Sequence, residues 1–143
     1  MIKHGFGQLS IEYLLIAAAV LSLLAVLAVS FNSVLFSGLF VLDVQNAKTF
    51  LFDLQKKSES LSFYGEGSFA STQISFFNEW RIYSSEGFLL VEVSSKRLGV
   101  SKTLRVSPSV KVVTDIPQTK NKLHLRLSRE KDFVLIKNNQ PDS

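Results

Sequence analysis

The sequence predicts an α+β protein in which one long N-terminal hydrophobic α-helix packs on a small C-terminal antiparallel β-sheet head domain. Three observations lead there. No charged side chain occurs from Tyr13 to Leu42, a run of roughly 30 residues where about 20 apolar residues suffice to cross a bilayer. Neither proline nor glycine interrupts the chain from Leu9 to Ser37. From Ser71 onward the apolar period changes from that of a helix to the alternation of strands.

The elements follow in order. Residues 1–7 form a short stub carrying Lys3 and His4, and the positive-inside tendency of Lys3 keeps it cytoplasmic while the rest is exported. Leu9 to about Leu61 reads as one helix. Its part over residues 8–42 is apolar on all sides, which suits lipid and, later, other helices. Ala17, Ala18, Ala19, Ala25 and Ala28, with Ser22 and Ser30, permit close backbone approach where lipid supplies no hydrophobic drive. Gly38 is a bend point, at a cost of about 1 kcal/mol relative to alanine.

Residues 43–64 continue the helix as an amphipathic element. Phe40, Val44, Ala47, Leu51 and Leu54 recur at spacings of four and three, whereas Asp43, Lys48, Lys56, Lys57 and Glu59 fall mostly off that stripe. The stripe is expected to cover the head. Gly65-Glu66-Gly67 ends the helical pattern, glycine being suited to a left-handed cap.

Residues 67–138 make the β-rich head. Strands are expected at Thr72–Phe77, Trp80–Tyr83, Gly87–Val93, Thr103–Val106, Val110–Val113, Lys122–Leu127 and Phe133–Ile136. Short strands with regularly spaced turns indicate an antiparallel sheet or a small sandwich. Residues 139–143 read as a tail.

Composition narrows the chemistry. Cysteine is absent, so stability rests on packing or assembly without disulfides. His4 and His124 are the only histidines, and no metal-ligand spacing, nucleophile elbow, phosphate loop or dinucleotide fingerprint occurs. No catalytic residue, metal or cofactor is expected, and the chain is not read as an enzyme. No N-x-[ST] sequon occurs either.

Charge is unevenly distributed. From Gly67 on there are twelve Lys/Arg against seven Asp/Glu, and Arg81, Lys96, Arg105, Lys122 and Arg126 belong to this cationic head. Such a surface suits contact with anionic surfaces, envelope polymers or DNA, and it equally serves solubility. Trp80, Tyr83 and Phe88 form either a stacking platform or part of the core.

One carboxylate stands at the mouth of the apolar helix. Gly7 is followed by Gln8-Leu9-Ser10-Ile11-Glu12, and this stretch resembles the Q-x-S-x-E pattern of archaeal class III signal peptides on type IV pilin-like proteins. The resemblance covers only this motif. The pattern departs at two places, with Phe6 where a basic residue usually precedes the glycine and Ile16 where a leucine usually follows.

The resemblance implies that a membrane-embedded prepilin peptidase cuts between Gly7 and Gln8, with Gln8, Ser10 and Glu12 as the signal motif. It implies single-span membrane insertion with the head extracytoplasmic, then assembly with other pilin subunits on an assembly platform into a cell-surface filament. Glu12 would set the axial register by pairing with a neighbour's new α-amino group. Independently, a buried cation of that kind needs a carboxylate partner, since removing one member of a buried pair costs about 3–5 kcal/mol. The competing reading is a single-span membrane-anchored extracellular binding module.

Overall fold

The computed structural model describes residues 5–119 and 121–139, with side chains from residue 10 onward. Residues 1–4 of the expected stub, with Lys3 and His4, and residues 140–143 of the expected tail lie outside the described residues. The chain divides into two compact units, Met1–Ser37 and Gly38–Ser143.

A single α-helix, α1, runs from Gly5–Ser62. From Ile11 to Leu35 its apolar side chains are exposed, Leu14 at 69% and Val29 at 72%. This part is long and apolar enough to cross a membrane. Three of its serines are internally satisfied: Ser22, Ser30 and Ser37 donate to the carbonyls of Ala18, Val26 and Ser33 four residues back. A hydroxyl so bonded costs little in lipid, because its donor is already used.

In the second unit the same helix becomes one wall of a core. Ala47, Phe50, Leu51, Leu54 and Leu61 are buried, and Phe40 and Val44 pack against them. The expected stripe therefore faces inward, with Phe50 and Leu61 added to it.

Eight strands follow: β1 (Phe69–Ser75), β2 (Glu79–Ser85), β3 (Phe88–Ser95), β4 (Val100–Val106), β5 (Val112–Val113), β6 (Asp115–Thr119), β7 (Lys122–Arg129) and β8 (Val134–Asn138). They form two four-stranded sheets, ordered β1-β7-β8-β5 and β4-β3-β2-β6. All pairings are antiparallel except β5 with β8, which is parallel. The head is thus a small sandwich with one parallel pair.

Local chemistry explains the tightest connections. The β2–β3 hairpin turns through Glu86 and Gly87, both at positive φ (52° and 83°), as a two-residue primed turn demands. The β6–β7 turn places Asn121 at φ 71°, a conformation asparagine tolerates better than most residues. Strand β6 was not expected from the sequence, because Asp115 and Pro117 break the alternation. Proline is accommodated since β6 is an edge strand.

The single tryptophan lies in the core that α1 and both sheets share. Trp80 is fully buried, stacks on Phe76 with ring centroids 4.6 Å apart and lies 5.9 Å from the Phe50 ring. It is therefore a core residue and not part of an exposed stacking platform. Leu123, Leu125 and Leu127 of β7 and Leu89, Val91 and Val93 of β3 line the same core. On one side the sheets join through the short β5–β6 connection, where Thr114 accepts from the Ser84 N–H at 3.0 Å. On the other side α1 reaches both edges. Thr72 of β1 donates to Asp53 (3.4 Å), and Gln55 donates to the Ser107 carbonyl after β4 (3.3 Å).

Glu59 completes that second link. Its Oε1 accepts from Gln55 Nε2 at 3.0 Å and from the Ser109 N–H at 3.2 Å. The Gln55 amide first, and the Ser109 N–H second, hold the Glu59 carboxyl below the usual glutamate range. A depressed folded-state value contributes stability that is complete above the ordinary glutamate range and is lost as pH falls through the lowered value. Glu59→Gln should therefore be less stable than wild type at neutral pH, with the gap closing in acid. Urea midpoints of the detergent-solubilised full chain, read from Trp80 fluorescence across that range, measure it.

Candidate functional site

Two places in the chain carry polar chemistry in apolar surroundings. The first is the mouth of the apolar helix. The peptide bond between Gly7 and Gln8 lies in the helical backbone of α1, and the Gln8 side chain lies outside the described residues. Ser10 and Glu12 are exposed on the helix surface, and Ile11 and Tyr13 beside Glu12 are exposed at 62% and 71%. The Glu12 carboxylate makes no ion pair with the described residues. From Ser10 to Ile16 it is the one charged side chain on the helix surface, and burying it against another helix calls for a cation or hydrogen-bond donors.

The second place is Asp43, where the uncharged run ends. Its side chain does not face water but is 0% exposed. The Phe77 N–H donates to both of its oxygens (3.1 and 3.0 Å), and the Asn78 N–H (2.6 Å) and Asn78 Nδ2 (2.9 Å) donate to Oδ2. Phe77 and Asn78 belong to the short loop between β1 and β2, where the chain passes from one sheet to the other. One helical carboxylate thus holds the crossover of the sandwich. Burial of a carboxylate is tolerable only with such hydrogen bonding.

Sequence reasoning placed Asp43 off the buried stripe, and the structure corrects this. The signal was available: positions 43, 47, 50, 54, 58 and 61 recur at spacings of four and three on one helix face. Two of them, Asp43 and Ser58, are polar and buried. Ser58 resolves its burial locally by donating to the Leu54 carbonyl at 2.7 Å.

The cationic head residues separate by sheet. On the sheet holding β2 and β3, Arg81 lies 3.6 Å from Asp115 and Lys96 lies 3.1 Å from Glu79. The Arg81 and Arg105 guanidinium groups lie 5.1 and 5.2 Å from the ring centres of Tyr83 and Phe88. On the other sheet, Arg126 lies 4.4 Å from the ring centre of Phe69, and His124 is half-buried opposite Gln73. Among the described residues, no group of three or more His, Asp or Glu side chains is placed to hold a metal ion.

Comparison with protein-family models, with curated proteins and with solved structures returned no match for this chain.

Replacing Asp43 with alanine removes the acceptor of the part-buried Phe77 and Asn78 donors and leaves a small side chain at a buried position. Hydrogen bonds to a charged group contribute about 1.5–3 kcal/mol, so Asp43→Ala should lose about 2 kcal/mol of head stability. Asp43→Asn keeps an acceptor and should lose less. Urea unfolding of the solubilised full chain ranks the two variants, and equal loss from both would contradict the latch.

Proposed function

We propose that this chain is a structural subunit, major or minor, of an archaeal type IV pilus-like surface filament. It is processed before Gln8 and assembled through its N-terminal helix. The observation that carries the reading is Glu12, a lone carboxylate on an exposed apolar helix directly after the Gln8-Leu9-Ser10 stretch. Solvent-exposed apolar side chains from Ile11 to Leu35 are costly in water and need either lipid or other helices around them.

The reading orders the chemistry in two environments. Before assembly, lipid covers the helix and the peptidase removes the stub. Cleavage creates an α-amino group on Gln8, about one helical turn from Glu12. In the filament, helices of neighbouring subunits replace lipid, and the carboxylate of one pairs with the amino group of the next. A subunit docked at the wrong height buries two unpaired charges. Helix packing without a hydrophobic drive then favours close approach at Ala17, Ala18, Ala25 and Ala28.

The separately packed head supports this reading as well, because its core is complete without the apolar segment. Buried residues from Asp43 onward account for that core. The same feature also suits the second reading, a single-span membrane-anchored binding module, and N-terminal processing separates the two.

Peptide mass spectrometry of the chain N-terminus, on native membranes and on sheared surface filaments, should find a chain beginning at Gln8 in the sheared fraction. A chain beginning at Met1 and confined to membranes would replace the filament reading with the anchored module. Glu12→Ala should leave processing intact and lower filament yield sharply, consistent with about 3–5 kcal/mol per broken buried pair. Gly7→Val should block processing itself. Unchanged filament yield from Glu12→Ala would remove the pairing role.

A further inference from the structure

We propose that the end of the head formed by the β1–β2 loop and the β3–β4 turn docks on a bilayer surface, with the Phe77 ring set among the lipid headgroups. The inference rests on the reading that the apolar part of α1 spans a membrane, and it does not depend on filament assembly.

Hydrogen bonds and strand registers fix which loops share that end. Asp53 accepts from Thr72 and Asp43 from Phe77, so β1 runs antiparallel to α1 and brings the β1–β2 loop to the level of Asp43. Ser75 faces Lys122, and the Phe76 N–H donates to the Asn121 carbonyl, which puts the β6–β7 turn at the same level. Glu79 faces Ser94 and Ser95 faces Val100, so the β3–β4 turn, residues 96–99, lies there too. Residues 65–67, the β2–β3 turn, residues 107–111 and the β7–β8 turn gather at the opposite end.

The sequence of α1 sets the depth of this level in a bilayer. The uncharged run ends at Leu42, Asp43 is buried, and the next charged residue of the helix, Lys48, is exposed. At 1.5 Å per residue, a run of roughly 30 residues is about 45 Å long, against about 40–45 Å for a bilayer with its headgroups. A spanning helix therefore carries Asp43 at headgroup depth.

Apolar side chains are exposed at that depth in the second unit. Val41 and Leu42 stand within two residues of Asp43, and Phe77 is 63% exposed although its N–H donates to the buried carboxylate. Its neighbour Phe76 takes the place in the core, stacked on Trp80. The Asp43 latch thus holds an aromatic ring outside the core at the level where the helix turns from apolar to polar. Phenylalanine on a partly polar surface suits the boundary between headgroups and acyl chains.

Charge marks the same end. Residues 96–99 carry Lys96 and Arg97 and no acid, and both cations are exposed. Lys96 lies 3.1 Å from Glu79, which is buried, while the Lys96 side chain is 76% exposed. At the opposite end the turns carry Glu66, Glu86, Glu130 and Asp132 against Lys111 and Lys131. Anionic headgroups attract the first set and repel the second, so one end of the head suits the membrane and the other suits water.

The chain has no cysteine, so single introduced cysteines can carry a nitroxide in the full chain, reconstituted in nanodiscs of phosphatidylcholine and phosphatidylglycerol. A label at Phe77→Cys should collide more often with oxygen than with a water-soluble nickel chelate, and a label at Asp132→Cys should show the reverse. With a reporter at Ser75→Cys, Phe77→Ser should raise collision with the chelate about threefold. Phe63→Ser, which removes an exposed ring at the far end of α1, should change it less than about 1.5-fold. Unchanged Trp80 fluorescence in both variants shows that the head remains folded. A label at Ala18→Cys separates the premise from the proposal. If it meets oxygen while the label at position 77 meets the chelate, the span stands and the docking falls; if it meets the chelate, both fall. Equal effects of Phe77→Ser and Phe63→Ser would overturn the proposal, as would protection at position 77 that appears only with two chains per nanodisc, which assigns this end to a second copy.

Discussion

The burial of Asp43 is the constraint on which the head depends. A carboxylate with no exposure must find donors, and only the Phe77–Asn78 loop supplies them. Each residue of an α-helix advances the side chain by about 100°, so a slip of one position would turn Asp43 away from that loop. The same rotation would take Ala47, Phe50 and Leu54 out of the core. A polar interaction therefore sets the angle at which an apolar stripe works, since burial of apolar area is itself non-directional.

Charge is handled differently in each part of the molecule. In the first unit a single carboxylate is displayed among apolar side chains. In the second, Asp43 is buried and fully hydrogen-bonded, Glu79 is buried beside Lys96, Glu59 tethers the segment after β4, and the cations lie on both sheets. On the sheet holding β2 and β3, Arg81 and Lys96 lie beside the acids Asp115 and Glu79. Net charge alone would have hidden these separate roles.

Much of the fold was legible before any coordinates. The helix end near Leu61, the inward stripe and the strands with clean alternation follow from periodicity, which reports burial on one side. Strand β6 escaped because Asp115 and Pro117 remove the alternation that announces a strand. The parallel pairing of β5 with β8 escaped for another reason, as it joins segments about twenty residues apart through contacts that leave no local pattern. Asp43 was misread by the habit of assigning charge to solvent, although its spacing to Ala47 and Phe50 matched the buried face. Trp80 was ambiguous by composition, and its stacking on Phe76 decided it. At the helix mouth, Ser10 and Glu12 sit exposed on the helix surface, where periodicity carries no signal.

The strand order has a consequence for how the chain is made. The β2-β3-β4 meander consists of neighbours in sequence and can pair as soon as its residues emerge, whereas β1 must wait for β7, more than forty residues later. Until then the inward stripe of α1 and the inner face of β1 have no complete core to enter. Non-local pairing of this kind is slow, because loop closure must precede the contacts that reward it. As the chain emerges N-terminus first during synthesis, the crossover strands form last. The interval between emergence of the helix and arrival of β7 is when this protein is most open to a chaperone, a protease or a wrong neighbour.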